Sequence, residues 1–405
     1  MIKEIPVSQL QPGMFVRDLN CQWMDHPVLF HSLLIADQRD IDRIASTGAL
    51  NVFIDTERGV DVLTVFDRTA LPSHADGRLQ HVAGETDGPQ EFVRPRATRA
   101  LEEELPRAQR LHRDTQSVLN EMFADARKGS LPQPERLNEI AGRMQESLTA
   151  NSGALMLMSQ MKDRDAYTFQ HCVAVGALLM VFAEAVGYSK ADAAQIGIGG
   201  LLHDIGKMFI PDGILNKPGR LSSDEFDRIK RHPLRGYKLL SGIAGINPVY
   251  LNITYQHHER LDGAGYPQQL AAEQISREAK LAAIADVYDA VSSDRCYHLG
   301  EPPTLVLRNM LEAAGRHFDL QLVQSFIKCV GVYPVGSLVQ LESGMLGIVT
   351  DQNEDLLRPK LLLIYNSKKR WHTPPQCLDL AGAAAETITG VSTFRRWGLQ
   401  RSNYL

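Results

Sequence analysis

Seven ionisable side chains stand in otherwise apolar stretches in the middle of this 405-residue chain: His171, His203, Asp204, His232, His257, His258 and Asp286. His203 and Asp204 belong to "LLHDIGK", and Asp286 interrupts the run Leu281, Ile284, Ala285, Tyr288. Burying such groups without partners is costly, so they must pair, neutralise or hold a cation. Lys207 follows His203 by four residues, a spacing that puts both on one helix face and lets both point into one site. Taken singly, each histidine reads first as a hydrogen-bonded core or surface residue, Lys207 as a helix-end charge and Asp289 as a solvated partner for a nearby base. Taken together, imidazoles and carboxylates are the borderline-to-hard donors that a di-iron, di-manganese or mixed site selects.

The elements that must position these residues are helical. From Leu101, apolar residues recur at helical spacing (Leu111, Val118, Leu119, Met122), then again at Leu137, Ile140, Met144 and Leu148 after "GSLPQP", and residues 150 to 326 continue as helices. Before them, residues 1–66 alternate short apolar runs with turns, "MFVRDL", "PVLFHSLLI" and "NVFIDTERGVDVLTVF" with a turn at Arg58-Gly59, around a helix "DQRDIDRIAST" ending at Gly48. After them, "GSLVQLESGMLGIVTDQ", "PKLLLIYNSKKR" and "QCLDLAG" predict strands. The expected chain is therefore multidomain. It has a small N-terminal α+β domain (1–66), a flexible Pro/Gly-rich linker (67–99), a helical connector (100–150), a central all-α domain (151–328) and a small C-terminal β module (329–405). The connector's apolar stripe would serve a homodimer interface or pack onto its own domain.

Composition narrows the function class. With 44% apolar residues, 22% charged residues and a net charge of −5, the chain is globular and lacks the basic footprint of a nucleic-acid or anionic-membrane binder. The five cysteines show no C-x-x-C pair, against a disulfide framework or zinc ribbon. No signal-peptide core opens the sequence, and the run "CVAVGALLMVFAEAVG" meets Glu184 before the roughly 20 residues a spanning helix needs. A cytoplasmic protein without a membrane span is expected.

"LLHDIGKMFIPDGILNKPGRLSSDEF", "HPLRGYKLL", "QHHERLDGAGYP" and "AIADVYDAVSSDRCYH", in that order, resemble the HD-GYP phosphodiesterases, bacterial HD-superfamily enzymes that hydrolyse cyclic di-GMP. Residues 1–66, through motifs such as "LQPGMFV", resemble a domain of unknown function often fused to them. The resemblance implies an HD-superfamily helical domain in which His171, His203, Asp204 and Asp286 are metal ligands. It also implies that His232, His257 and His258 bring in further metal with Asp204 bridging. By the same resemblance Asp204 and Lys207 serve catalysis, while Lys207 and Arg295 contact substrate phosphate. Gly263, Gly265, Tyr266 and Pro267 form the signature loop, whose glycines suit a turn shaping the pocket rim beside His257-His258. Two departures stand out. Tyr167 occupies a position where some members have a third-metal glutamate, and Asp165 lies off the required face, so two metals are expected. Cys296, Tyr297 and His298 follow "SDR" where relatives usually have proline first and often a base third, so any contact from His298 would depend on pH.

The resemblance implies two divalent ions, iron first and manganese next, and such a pair supplies activated water and polarised phosphoryl oxygens. The expected products are pGpG, GMP or both. The alternatives are a phosphodiesterase for another cyclic dinucleotide such as cyclic GMP-AMP, or a cyclic di-GMP sensor recruiting a diguanylate cyclase-type partner through the GYP surface. The sensor reading predicts lost ligands or a lost signature, and this chain retains both.

Overall fold

The computed structural model describes residues 2–7, 10–18, 33–46, 51–55, 79, 82, 98–130, 133–160, 167–217, 221–293, 300–382 and 386–404. Contacts divide the chain into two units, Met1–Ser73 and His74–Leu405.

The first unit is α+β, as the alternating pattern predicts. Strands β1 (Ile2–Pro6), β2 (Phe15–Asp18), β3 (Leu33–Leu34) and β4 (Asn51–Asp55) form an antiparallel sheet in the order β1-β4-β2-β3, accompanied by helix α1 (Gln38–Ser46). Val7, Leu10, Met14, Val16, Ile35, Ile41, Ile44, Val52 and Ile54 fill its core. Strand β1 was not expected from the sequence, because "IKEIP" places only two apolar residues, Ile2 and Ile5, before a proline. The turn at Arg58-Gly59 and most of the predicted strand 27–35 lie outside the described residues. So does most of the predicted linker, but Leu79 and Val82 within it are helical and buried. That stretch is thus not wholly a structureless tether.

In the second unit the predicted connector is part of the helical core. Helices α2 (Leu101–Arg127) and α3 (Pro134–Gln160) bury Leu111, Leu119, Met122, Phe123, Leu137, Ile140 and Met144 against α4 (Tyr167–Ala185) and α5 (Lys190–Leu202). Buried Glu104 ties α2 to α3, accepting from Ser147 Oγ at 2.8 Å and pairing with Arg99 at 3.0 Å. The apolar stripe of these helices is thereby satisfied within one chain. Asn151 breaks the helical backbone of α3 (φ −163, ψ 102), at the expected boundary between connector and central domain. Helix α4 is long and apolar enough to cross a membrane, but 72% of its apolar window, Thr168–Ala185, is buried inside the protein. It is the central core helix.

After α5 come a 3-10 turn (Ile205–Phe209), α6 (Asp212–Leu215), α7 (Ser223–Ile229), α8 (His232–Leu240), α9 (Pro248–Gln256), α10 (Arg277–Ser292), α11 (Pro303–Ala313) and α12 (Leu320–Val330). The chain closes with an antiparallel sheet in the order β8-β7-β6-β5-β9: β5 (Leu338–Leu341), β6 (Met345–Asp351), β7 (Lys360–Asn366), β8 (Trp371–Asp379) and β9 (Ile388–Ser392). Its core is Leu338, Leu346, Ile348, Ile364, Tyr365 and Leu399. Strand β9, "ITGVS", escaped the sequence reading; pairing with β5 from Leu338↔Ser392 to Leu341↔Ile388 makes it a strand.

Candidate metal centre

The "HDIGK" stretch is not one continuous helix. Helix α5 ends at Leu202 with His203 as its C-cap, and the chain tightens into the 3-10 turn after Asp204. Lys207 therefore serves Asp204, three residues back, with Nζ 2.5 Å from Oδ2, and not His203 on a shared α-helical face. The tightening lets the turn press against α8. A Cβ on Gly206 would lie 1.9 Å from the His232 carbonyl oxygen and 2.7 Å from the Gly236 nitrogen, so only glycine permits this approach. Arg235 of α8 also donates to the Phe209 carbonyl. These contacts bring Asp204 and His232 face to face, with His232 Nε2 3.2 Å from Asp204 Oδ1.

Each element delivers one or two donors. His171 comes from α4, His203 and Asp204 from the end of α5, His232 from the first residue of α8, His257 from the C-cap of α9 with His258 next, and Asp286 from α10. They form overlapping groups whose candidate ligand atoms all lie within 4.8 Å of one another: His171, His203 and Asp286; His203, Asp204 and His257; His232, His257 and His258. Asp204 faces both outer groups. Its Oδ2 is 3.3 Å from His203 Nε2 and 3.8 Å from His171 Nε2, and its Oδ1 is 3.2 Å from His232 Nε2 and 4.0 Å from His257 Nε2.

Hydrogen bonding orients the rings. His203 Nδ1 donates to the Gly200 carbonyl (2.7 Å), His232 Nδ1 to Ile229 (2.8 Å) and His257 Nδ1 to Ile253 (3.0 Å). A carbonyl only accepts, so Nδ1 carries the proton, and each ring when neutral turns a bare Nε2 lone pair into the site. His232 Nε2 and His257 Nε2 then face each other at 3.2 Å, lone pair to lone pair, while buried His203 Nε2 and Asp204 Oδ1 have no hydrogen-bond partner among the described residues. Acceptors converging on acceptors fit a divalent cation, and so does the mixed imidazole and carboxylate donor set.

The electrostatics point the same way. Burial opposes ionisation of Asp204, yet His203 and Lys207 beside it hold its carboxyl well below the usual range. Asp286 is likewise low despite burial, through its hydrogen bond to His171. Burial, aided by neighbouring histidines, pushes His257 well down and His258 down to about 3, and burial also lowers His232. His203 differs: burial disfavours its charge, but the Asp204 carboxylate raises it well above an ordinary imidazole. Two anions thus sit among mostly neutral rings and attract positive charge.

The signature loop forms a wall beside these rings. Gly265 approaches so closely that a Cβ would lie 2.5 Å from the Arg260 nitrogen and 2.6 Å from the His258 carbonyl oxygen. Tyr266 stacks on His258 with ring centroids 4.6 Å apart. Glu259 holds the loop by accepting from the Gln268 (2.6 Å) and Leu270 (2.9 Å) main-chain N–H groups. Gly263 adopts φ +73, as a turn glycine should, and Pro267 follows Tyr266 through a cis bond. Arg295, Cys296, Tyr297, His298 and Asp165 lie outside the described residues, as does the side chain of Tyr167.

Sequence reasoning missed one buried group. Asp289, read as a solvated partner, is 4% exposed with Oδ2 2.6 Å from His171 Nδ1. Its signal was the three-residue spacing from Asp286, which puts both carboxylates on one side of α10.

A helical domain that gathers histidines and aspartates around an H-D pair defines a metal-binding HD protein. Residues 154–322 match the family model described as HD domain, and residues 2–137 match a domain of unknown function (DUF3391). A cyclic di-GMP phosphodiesterase of Pseudomonas aeruginosa is 37% identical over 404 residues, 99% of this chain and 94% of that protein. A cyclic di-GMP phosphodiesterase response regulator of Xanthomonas campestris is 36% identical over 193 residues, 47% of this chain and 50% of the relative. A 3′3′-cGAMP-specific phosphodiesterase of Vibrio cholerae is 31% identical over 173 residues, 42% of this chain and 33% of the relative. The chain belongs to the HD-GYP family of cyclic di-GMP phosphodiesterases. The DUF3391 match runs past residue 66 to include α2, whereas packing joins α2 to the catalytic helices.

Proposed function

We propose that this protein hydrolyses cyclic di-GMP to pGpG, GMP or both, using two divalent ions held by the His/Asp cluster. The observation that carries the reading is Asp204, whose two oxygens each face a separate group of ring nitrogens. His171, His203 and Asp286 would hold one ion and His232, His257 and His258 the other, with Asp204 shared. Iron is favoured and manganese next, because the imidazole-rich set with a shared carboxylate suits both. When bound, such ions supply Lewis-acid polarisation of the phosphodiester and activation of water. Lys207, 22% exposed and fixed on Asp204, presents its ammonium to charge developing on the phosphoryl oxygens. Tyr266 and the turn of Gly263, Gly265 and Pro267 form the wall against which the dinucleotide lies. Arg295 is a further phosphate contact by resemblance. The outward face of the same loop, Ala264, Gln268 and Gln269, is exposed and would meet a diguanylate cyclase-type partner.

The test is turnover of cyclic di-GMP and 3′3′-cGAMP by protein purified without oxygen, with metal content measured on the same sample and Asp204→Ala alongside. Turnover to pGpG or GMP with two bound ions is expected, lost by at least ~10²-fold in Asp204→Ala together with metal. Preference for 3′3′-cGAMP would overturn the substrate. Tight binding without turnover by metal-loaded protein would overturn the enzyme reading in favour of a sensor.

A further inference from the structure

We infer that Asp289 is a positioning residue that strengthens His171 as a donor and so makes the two halves of the metal site unequal. This role rests on the metal-dependent reading above and assigns a function to a residue outside the ligand set. His203, His232 and His257 are each oriented by a main-chain carbonyl. His171 is oriented by a carboxylate: Nδ1 lies 2.6 Å from Asp289 Oδ2, while Nε2 faces Asp286 Oδ1 at 2.9 Å. Both partners are buried, His171 at 2% and Asp289 at 4% exposure. A carboxylate accepts the Nδ1 proton more strongly than an amide oxygen does. The opposite nitrogen then carries more electron density, and the ring is fixed in the tautomer a cation needs.

Helix α10 builds this arrangement from one turn of backbone. Asp286 reaches the Nε2 side of the His171 ring and Asp289, three residues on, reaches the Nδ1 side, so one rigid element grips the imidazole from both edges. Ser293, the next turn along, places Oγ 3.4 Å from Asp289 Oδ1. The half of the site containing His171 therefore gathers Asp286, Asp289 and one oxygen of Asp204. The half containing His232, His257 and His258 has the other Asp204 oxygen, with Asp286 Oδ2 3.8 Å from His258 Nδ1. The first half holds its cation more tightly.

Asp289 also lines a cleft of about 60 Å³ bounded by Met156, Leu178, Val335 and Gln352, where the catalytic helices meet the C-terminal module. Truncating its side chain opens into existing space and leaves no sealed core void, so the variant is expected to fold.

The experiment strips metal from the full chain and titrates Mn²⁺ into wild type, Asp289→Ala and Asp289→Asn, following each binding event by calorimetry and recording the Tm of each metal-free protein. Asparagine can still accept through its amide oxygen, so it removes charge while keeping the ring's orientation. Two events are expected in wild type. In Asp289→Ala the tighter one should weaken by ~10–100-fold with the other little changed, and Asp289→Asn should fall between. Unchanged affinities in both variants, or equal weakening of both events with a lowered metal-free Tm, would overturn the role. Absence of any Mn²⁺ binding by wild type would overturn the metal-dependent reading and the role with it.

Discussion

His232 and His257 present bare nitrogens to one another at 3.2 Å, an arrangement that a protein maintains only if something positive is to come between them. The same burial that leaves these rings neutral sets a pH dependence in the metal-free protein. His257 and His258 titrate well below 6.5 when folded, and His232 below it. Between the folded and unfolded values the unfolded chain binds more protons, so unfolding free energy rises with pH and stability is lost as pH falls below about 6.5. His203 acts oppositely, because its raised value adds stability at low pH that is lost as pH climbs through that value. Below about 6.5 His203 is protonated in both the folded and the unfolded chain, so its contribution no longer changes and the lowered rings set the trend. The Tm of metal-stripped protein should therefore fall as the pH is lowered from about 6.5 to 5. A Tm that holds or rises over that range would show that folding does not keep these rings neutral. Lys207 gives a second prediction at this scale. Since its ammonium pairs with Asp204 and has no lone pair to offer a cation, Lys207→Met should keep metal content while lowering kcat by ~10²–10³-fold. Loss of metal in that variant would show that the ammonium is needed to build the site.

At the scale of elements, the site depends on places where side chains are missing. Gly206→Ala puts a methyl group 1.9 Å from the His232 carbonyl oxygen, so the 3-10 turn and α8 must separate and Asp204 must move off His232. The expected cost is about 1–3 kcal/mol of stability together with a loss of metal affinity, measured by denaturant unfolding and Mn²⁺ titration. Gly213→Ala, on α6 with open space around the added carbon, is the matched control and should change neither. This dependence explains what the sequence could and could not convey. The donor types and the H-D pair were legible because buried ionisable residues contrast with an apolar background. The break between α5 and the 3-10 turn was not, since "LLHDIGK" keeps helical apolar spacing on either side, and the tightened turn is matched to α8, 26 or more residues away from Gly206. Asp289 was misread for a related reason: an acidic residue after a tyrosine in "DVYDA" looks like an exposed helix face until α4 is packed against it. Strands β1 and β9 were missed because their pairing partners, β4 and β5, supply what their own short apolar patterns do not.

Across the whole molecule, the boundary that matters lies before α2 and not after it. A reading by composition separates a connector from the catalytic domain near residue 150. Yet Leu111, Leu119, Met122, Phe123, Leu137 and Met144 share one buried cluster with Cys172, Val173, Leu201 and Ile205, which directly flank His171 and His203. Helices α2 and α3 thus form the back of the wall from which the donors project, and the buried Glu104–Ser147 bond keeps the two in register. Removing them would uncover the apolar side of α4, the 18-residue segment whose hydropathy already matches a membrane span. Exposed, that surface should drive aggregation. By contrast, the first unit, Met1–Ser73, has its own sheet, helix and apolar core. A fragment of residues 74–405 is therefore expected to remain monodisperse, unfold cooperatively and bind metal as the full chain does. A fragment of residues 151–405 should aggregate, or bind the dye ANS without a cooperative transition. Size-exclusion chromatography with parallel Mn²⁺ titration distinguishes them. A well-folded, metal-binding 151–405 fragment would show that α2 and α3 merely lean on the catalytic helices and do not support them.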